Sequence, residues 1–112
     1  MIRAPLVLFH GDWSGADGDL TGTLVREGDC LYVDYDDGLI HIRPLVTFSA
    51  RGTSWDEDEQ SVRTSGASLR VGDEVSLGGG LREGPGAADM EWAVPPDPSC
   101  DTTAIWISGK PD

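Results

Sequence analysis

The chain has 112 residues, which suits one domain with one modest hydrophobic core. Its 20 acidic and 8 basic residues give a formal net charge of −12. This balance argues against binding nucleic acid or an anionic membrane surface, because both need clustered Lys and Arg. No run approaches the ~20 apolar residues of a membrane span, so we expect no membrane insertion. An acidic surface of this kind serves solubility or steers a basic protein partner.

The N-terminal apolar run at 4–9 is short and has no small-residue cleavage site after it. It is therefore predicted to be a first strand or a docking arm rather than a signal peptide. On this basis we expect a cytoplasmic protein, with export of a longer precursor as the alternative.

The first half of the chain is typical of β-structure. A strand is predicted over 20–27, with a bulge or bend at Gly22. The clearest strand covers 30–35, where apolar residues alternate with a period of two. The Asp-Asp-Gly sequence at 36–38 predicts a hairpin turn, and 39–48 is predicted to return as a long strand that Pro44 interrupts with an edge or a bend.

Residues 49–68 permit two interpretations. Ser54 and Glu57 have the spacing of a helix capping box, which favours a short helix near 54–63. The alternative is a solvated acidic loop followed by a strand at 61–64.

The second half predicts strands at 69–71 and 74–78, a long irregular connection at about 80–100, and a last strand at 103–108. The three glycines at 78–80 are predicted to bend a strand. A phosphate cradle needs a following helix and usually a Lys, and neither is present.

These short strands predict an all-β fold and a single domain over residues 1–112. The first choice is a five- to six-stranded barrel of the oligonucleotide/oligosaccharide-binding (OB-like) type, since closure removes vulnerable sheet edges. An SH3-like barrel or a small sandwich is the alternative.

Two cysteines, Cys30 and Cys100, lie 70 positions apart, which is not a metal-binding or thioredoxin-like spacing. A disulfide between them would tie the C-terminal segment to the barrel and add roughly 3–4 kcal/mol of stability. The alternative is a pair of buried free thiols in a reducing compartment.

Catalytic motifs are not evident. His10 and His41 are the only histidines, neither has a second His at ligand spacing, and no nucleophile elbow occurs. The acidic stretch at 34–38 does not have the ligand spacing of an EF-hand. We therefore expect no enzyme, no metal and no cofactor.

Two tryptophans lie in acidic surroundings, where an exposed ring anchors a partner and a buried ring packs over a barrel end. Four consecutive carboxylates follow Trp55 and resemble the anionic surface of inhibitors that bind basic proteins. The predicted partner-binding residues are Trp55, Asp56, Glu57, Asp58 and Glu59, with Asp34, Asp36, Asp37 and Trp13 extending the surface.

Three segments carry a family resemblance: Gly-Thr-Leu at 22–24, Cys-Leu-Tyr-Val at 30–33, and Val-Gly-Asp-Glu-Val-Ser-Leu-Gly-Gly-Gly at 71–80. The pattern resembles that of a family of small actinobacterial proteins, many of them uncharacterised. The resemblance covers about half of the chain. It implies a small β-barrel that is often envelope-associated, and it implies no activity.

Two function hypotheses follow. The first is a non-enzymatic acidic protein that neutralises a basic protein partner, as an immunity protein neutralises a toxin. The second is an envelope-associated structural or ligand-binding barrel, held together by the disulfide candidate.

Overall fold

A computed structural model describes residues 4–10, 18–64, 66–83 and 91–108. Within these ranges the chain is all-β and contains no helix, and therefore none that is long and apolar enough to cross a membrane. The strands are β1 (Leu8–Phe9), β2 (Gly18–Glu27), β3 (Cys30–Asp36), β4 (His41–Ile42), β5 (Leu45–Ser49), β6 (Thr53–Asp56), β7 (Ser61–Thr64), β8 (Ala67–Arg70), β9 (Glu74–Glu83), β10 (Trp92–Val94) and β11 (Ala104–Ser108).

Five of the strands close into a barrel. Strand β2 pairs antiparallel with β3 and β9, and β9 pairs antiparallel with β11. Strand β11 runs parallel to β5, and β5 returns to β3 through the pair Tyr32 and Leu45. The circuit is thus β2-β3-β5-β11-β9 and back to β2. This confirms the prediction of a small all-β, OB-like barrel.

Alternation along the strands builds the barrel interior. Every second side chain points inward, so Leu31 and Val33 of β3 join Val46 and Phe48 of β5 in one buried cluster. Gly22 allows a close approach of β2 to β3, because a Cβ at this position would collide with the carbonyl oxygen of Asp34. This close approach is the physical reason for a glycine at the predicted bend.

The outward-facing residues of β3, β5 and β11 form a second buried cluster, which includes Cys30, Leu45 and Ile107. The N-terminal arm covers them with Val7 and Phe9. Ligands of OB barrels commonly bind at the face of the second and third barrel strands, and here the chain itself occupies much of that face.

A disulfide joins Cys30 to Cys100 with a Cα–Cα distance of 5.7 Å, as predicted. It fixes the segment before β11 against the start of β3. The hydroxyl of Tyr32 strengthens the same attachment, because it accepts a hydrogen bond from the backbone N–H of Asp101 at 2.8 Å. The segment from 95 to 103 has no strand of its own, and these links hold it to the barrel.

The helix expected near 54–63 is wrong, and the alternative strand at 61–64 is confirmed. Strands β6, β7 and β8 form an antiparallel meander whose apolar side chains pack against the barrel core. Trp55 lies directly opposite Val62 across the β6–β7 hairpin. A spacing of seven places two residues on one helical face, but it also makes them cross-strand partners around a four-residue turn, so the spacing alone cannot separate the two structures.

The long strand expected at 39–48 begins later than expected and is divided at the predicted interruption. Strand β4 ends at Ile42 and β5 begins at Leu45, with Pro44 between them. Proline has no backbone N–H for a ladder hydrogen bond, which favours a break at this position.

Strand β9 is longer than expected and runs through all three glycines to Glu83. Gly79 is paired on both sides, with Gly18 of β2 and with Ser108 of β11. These glycines therefore belong to the barrel wall. The predicted irregular connection contains the short strand β10, and its residues 84–90 lie outside the described part of the chain.

Candidate partner-binding site

The predicted binding residues that the structure describes fall in two separate turns. We call residues 55–60 the inward turn and residues 34–41 the outward turn. Arg26, which contacts the inward turn, is paired with Leu31 of β3. Asp36 lies five residues further along β3, which corresponds to about 17 Å at the rise of an extended strand. The structure thus groups the carboxylates of each turn but does not bring the two turns together.

In the inward turn, Trp55 is half-buried and packs against the barrel core. Its indole N–H donates a hydrogen bond to a carboxylate oxygen of Glu57. The guanidinium of Arg26 lies over the indole ring, 5.4 Å from its centroid. Arg26 also donates to Gln60 Oε1 at 2.8 Å and to Glu57 Oε1 at 3.4 Å. The polar atom of Trp55 and one face of its ring are therefore already engaged within the chain.

Gln60 completes this network. Its side-chain amide donates to the Glu57 carbonyl oxygen at 2.8 Å and to Glu57 Oε1 at 3.0 Å. The hydrogen bond from Trp55 has the largest effect on the pKa of Glu57 and lowers it. Desolvation, the second largest effect, raises this pKa, and the contacts from Gln60 and Arg26 lower it further. Glu57 is thus held ionised as a structural group.

The other carboxylates of the inward turn are more accessible. Asp56 is half-buried and accepts a hydrogen bond from the Glu59 backbone N–H at 3.1 Å. Glu59 pairs with Arg70 at 3.6 Å, with both side chains largely in solvent. Asp58 is exposed. A partner approaching this turn therefore meets Asp58 and Glu59 first.

In the outward turn, Asp37 organises the backbone. Its Oδ1 accepts hydrogen bonds from the N–H groups of Leu39 at 2.8 Å and Ile40 at 2.7 Å, and its Oδ2 accepts from the Tyr35 hydroxyl at 3.0 Å. The bonds from Ile40, Leu39 and Tyr35 lower the pKa of Asp37, in that order of effect. The same carboxylate raises the pKa of the Tyr35 hydroxyl.

The remaining polar residues of the outward turn are also placed by local contacts. Asp36 Oδ1 accepts from the Gly38 N–H at 2.9 Å, and Gly38 has a φ of 89°, a conformation that suits glycine. Asp34 pairs with the exposed His41 ring. Among the residues that the structure describes, no group of three or more His, Cys, Asp or Glu side chains could hold a metal ion.

Trp13 was also predicted to bind a partner, and it lies outside the described residues.

Two features of the two turns were not predicted from the sequence. Arg26 gives no local signal, because its partners Glu57 and Gln60 are 31 and 34 positions away.

The second missed feature is the exposed pair Leu39 and Ile40 in the outward turn. Leu39 is 94% exposed and Ile40 57%, the two largest values among the large apolar residues that the structure describes. The sequence did contain a signal for this exposed turn, namely Asp37. An Asp side chain often accepts hydrogen bonds from the N–H groups two and three residues later and holds them in a turn.

No protein-family model matches the chain, and comparison with curated proteins and with solved structures gives no match. The resemblance to small actinobacterial proteins therefore stays a prediction. Function has to be inferred from the charge and from the geometry of the two turns.

Proposed function

We propose that this chain is a non-enzymatic binding protein that docks and neutralises a basic protein partner, as an immunity protein does with a toxin. The observation that carries the proposal is the distribution of charge. In the part of the chain that the structure describes, arginines are matched with glutamates of the same chain. The pairs are Arg26–Glu57, Arg43–Glu27 and Arg70–Glu59. Each pair uses one charge of each sign, so internal pairing leaves the formal excess of twelve negative charges unchanged.

This excess suits a positively charged protein surface. A negative field raises the rate of encounter with a basic partner and suppresses contact with acidic ones. Exposed carboxylates such as Asp58 and Asp36 extend the field at both turns.

The test begins with capture of the partner. Wild-type protein is immobilised at low salt, and bound proteins from cells that produce it are identified by mass spectrometry and purified. The association rate with the purified partner is then measured at about 0.05 M and about 0.5 M salt, since added salt screens exposed charges. We expect a basic partner and a fall in association rate of about tenfold or more.

Matched variants show which carboxylates raise the association rate. One variant carries Asp36→Asn and Asp58→Asn, one exposed carboxylate from each turn, and the control carries Glu83→Gln and Glu91→Gln, which are exposed outside both turns. Both remove two negative charges. A larger loss of association rate in the first variant supports the proposal, whereas an acidic partner or a salt-independent rate contradicts it.

The disulfide favours a second candidate, an envelope-associated structural or ligand-binding barrel. Disulfides persist in oxidising compartments, so the Cys30–Cys100 bond supports export over the cytoplasmic location expected at first. Alkylation of intact cells, followed by mass spectrometry of each cell fraction, tests this candidate. Protein in the exported fraction with both cysteines bonded supports it, and free thiols in the cytosol contradict it.

A further inference from the structure

We infer that Leu39 and Ile40 are the anchor of the interface and insert into an apolar pocket on the basic partner. This inference rests on the proposed function and names the part of the chain that makes the central contact. Single exposed apolar residues are ordinary on a protein surface. These two are adjacent, lie at the tip of a hairpin, and are 94% and 57% exposed.

The tip is held in one conformation before any partner arrives. The Asp37 carboxylate fixes the N–H groups of both Leu39 and Ile40, and the Asp37 N–H donates to the Ile40 carbonyl oxygen at 3.2 Å. Tyr35 in turn holds the other oxygen of this carboxylate. Because these bonds already restrict the backbone, docking loses less conformational entropy than the ordering of a mobile loop would.

The charges around the tip select the class of partner. Asp34, Asp36 and Asp37 lie within five positions of the apolar pair, and they complement Lys and Arg around a pocket. A second copy of this chain would bring like charges together at the same tip. An anionic lipid surface would repel it for the same reason. The occupant that fits is a basic protein with an apolar pocket.

The inward turn is a poorer place for the anchor. Trp55 has one face under Arg26 and packs on the barrel core, so its ring offers less free surface than its size suggests. Interface anchors fill pockets on the partner with side chains that are accessible before binding. The accessible apolar side chains lie in the outward turn.

The experiment uses the partner purified by capture on the wild-type protein. Its dissociation constant is measured for wild type, for the double variant Leu39→Ser/Ile40→Ser, and for Leu81→Ser as a control. Leu81 is 41% exposed and lies on β9. We expect the double variant to weaken binding by roughly 30-fold or more, and the control by less than about threefold. The salt dependence of the association rate should persist, because all carboxylates remain.

Thermal melts and sedimentation complete the test. Both positions are exposed, so the double variant should melt within a few degrees of wild type. If wild type and the double variant bind the partner with equal affinity, Leu39 and Ile40 are not the anchor. A salt-dependent association rate in the same data would still support the proposed function. Failure of wild type to capture any basic protein overturns both. A dimer, or binding to phosphatidylcholine vesicles, that the double variant abolishes also overturns the anchor, because the occupant is then a second copy or a lipid.

Discussion

The inward and outward turns have similar residue types, but the apolar side chain packs on the core in one and is exposed to solvent in the other. Each is an acidic turn with large apolar side chains beside carboxylates. In the inward turn, Glu57 binds the side chains of Trp55, Gln60 and Arg26, and the aromatic ring stays against the core. In the outward turn, Asp37 binds the backbone that follows it, and the next two apolar side chains point to solvent. The partners of one carboxylate thus decide whether a turn closes onto the protein or projects from it.

The largest expected effect on stability comes from loss of the disulfide. It should also show that the inward turn is coupled more tightly to the barrel than the outward turn is. Replacement of both cysteines by alanine should lower the free energy of unfolding by roughly 3–4 kcal/mol. The Val71 amide, bonded to Gln60 of the inward turn at 2.9 Å, should then lose protection from hydrogen exchange. Leu39 amide exchange should change little, because the outward turn opens locally. Equal losses at both amides would contradict this difference in coupling.

Truncation of the apolar side chains is the most direct comparison of the turns. Trp55→Ala removes a half-buried ring from the core cluster and should lower the free energy of unfolding by about 2–3 kcal/mol. Leu39→Ala removes a side chain that is 94% exposed and should change stability by less than about 0.5 kcal/mol. Urea denaturation measures both values. Similar losses would show that the outward turn is also packed on the core.

Removal of Arg26 should loosen the inward turn and leave the outward turn unchanged. Arg26→Met keeps the aliphatic length but removes the cation over Trp55 and the hydrogen bonds to Gln60, Glu57 and the Gly28 carbonyl oxygen, so we expect a loss of about 1–2 kcal/mol. Arg63→Met, at an exposed position on β7, is the control and should change stability by less than about 0.5 kcal/mol. Equal effects of the two substitutions would mean that the network around Trp55 adds nothing specific.

The smallest effect is a pH response confined to the outward turn. Asp37 has a pKa below its ordinary value of 3.8, so its hydrogen bonds are complete above that pH and are lost as pH falls through the lower, folded-state pKa. Between about pH 6 and about pH 2, the NMR temperature coefficients of the Leu39 and Ile40 amides should shift toward those of free amides. Asp37→Asn keeps the Oδ1 acceptor without a titrating group and should show no such step. A step that persists in this variant would assign the response to another group.

Much of the barrel could be read from local patterns. The alternation of Leu31 and Val33 predicted β3, and the Asp-Gly sequence after it predicted a turn, because strand periodicity and positive-φ turns are properties of short segments. The disulfide between Cys30 and Cys100 was predicted as well, because the C-terminal segment around Cys100 has little else to tie it to the barrel.

The packing of the inward turn onto the barrel was decided by tertiary structure. The seven-residue spacing of Trp55 and Val62 is compatible with a helix and with a hairpin, and only packing against the barrel core selects the hairpin. Arg26 reaches the inward turn through strand pairing that brings distant parts of the chain together. Leu39 was expected in a strand, and local hydrogen bonds from Asp37, two residues before it, place it in solvent instead. Local sequence thus determined where the chain extends and turns, including the outward turn, and long-range contacts determined that the inward turn packs onto the barrel.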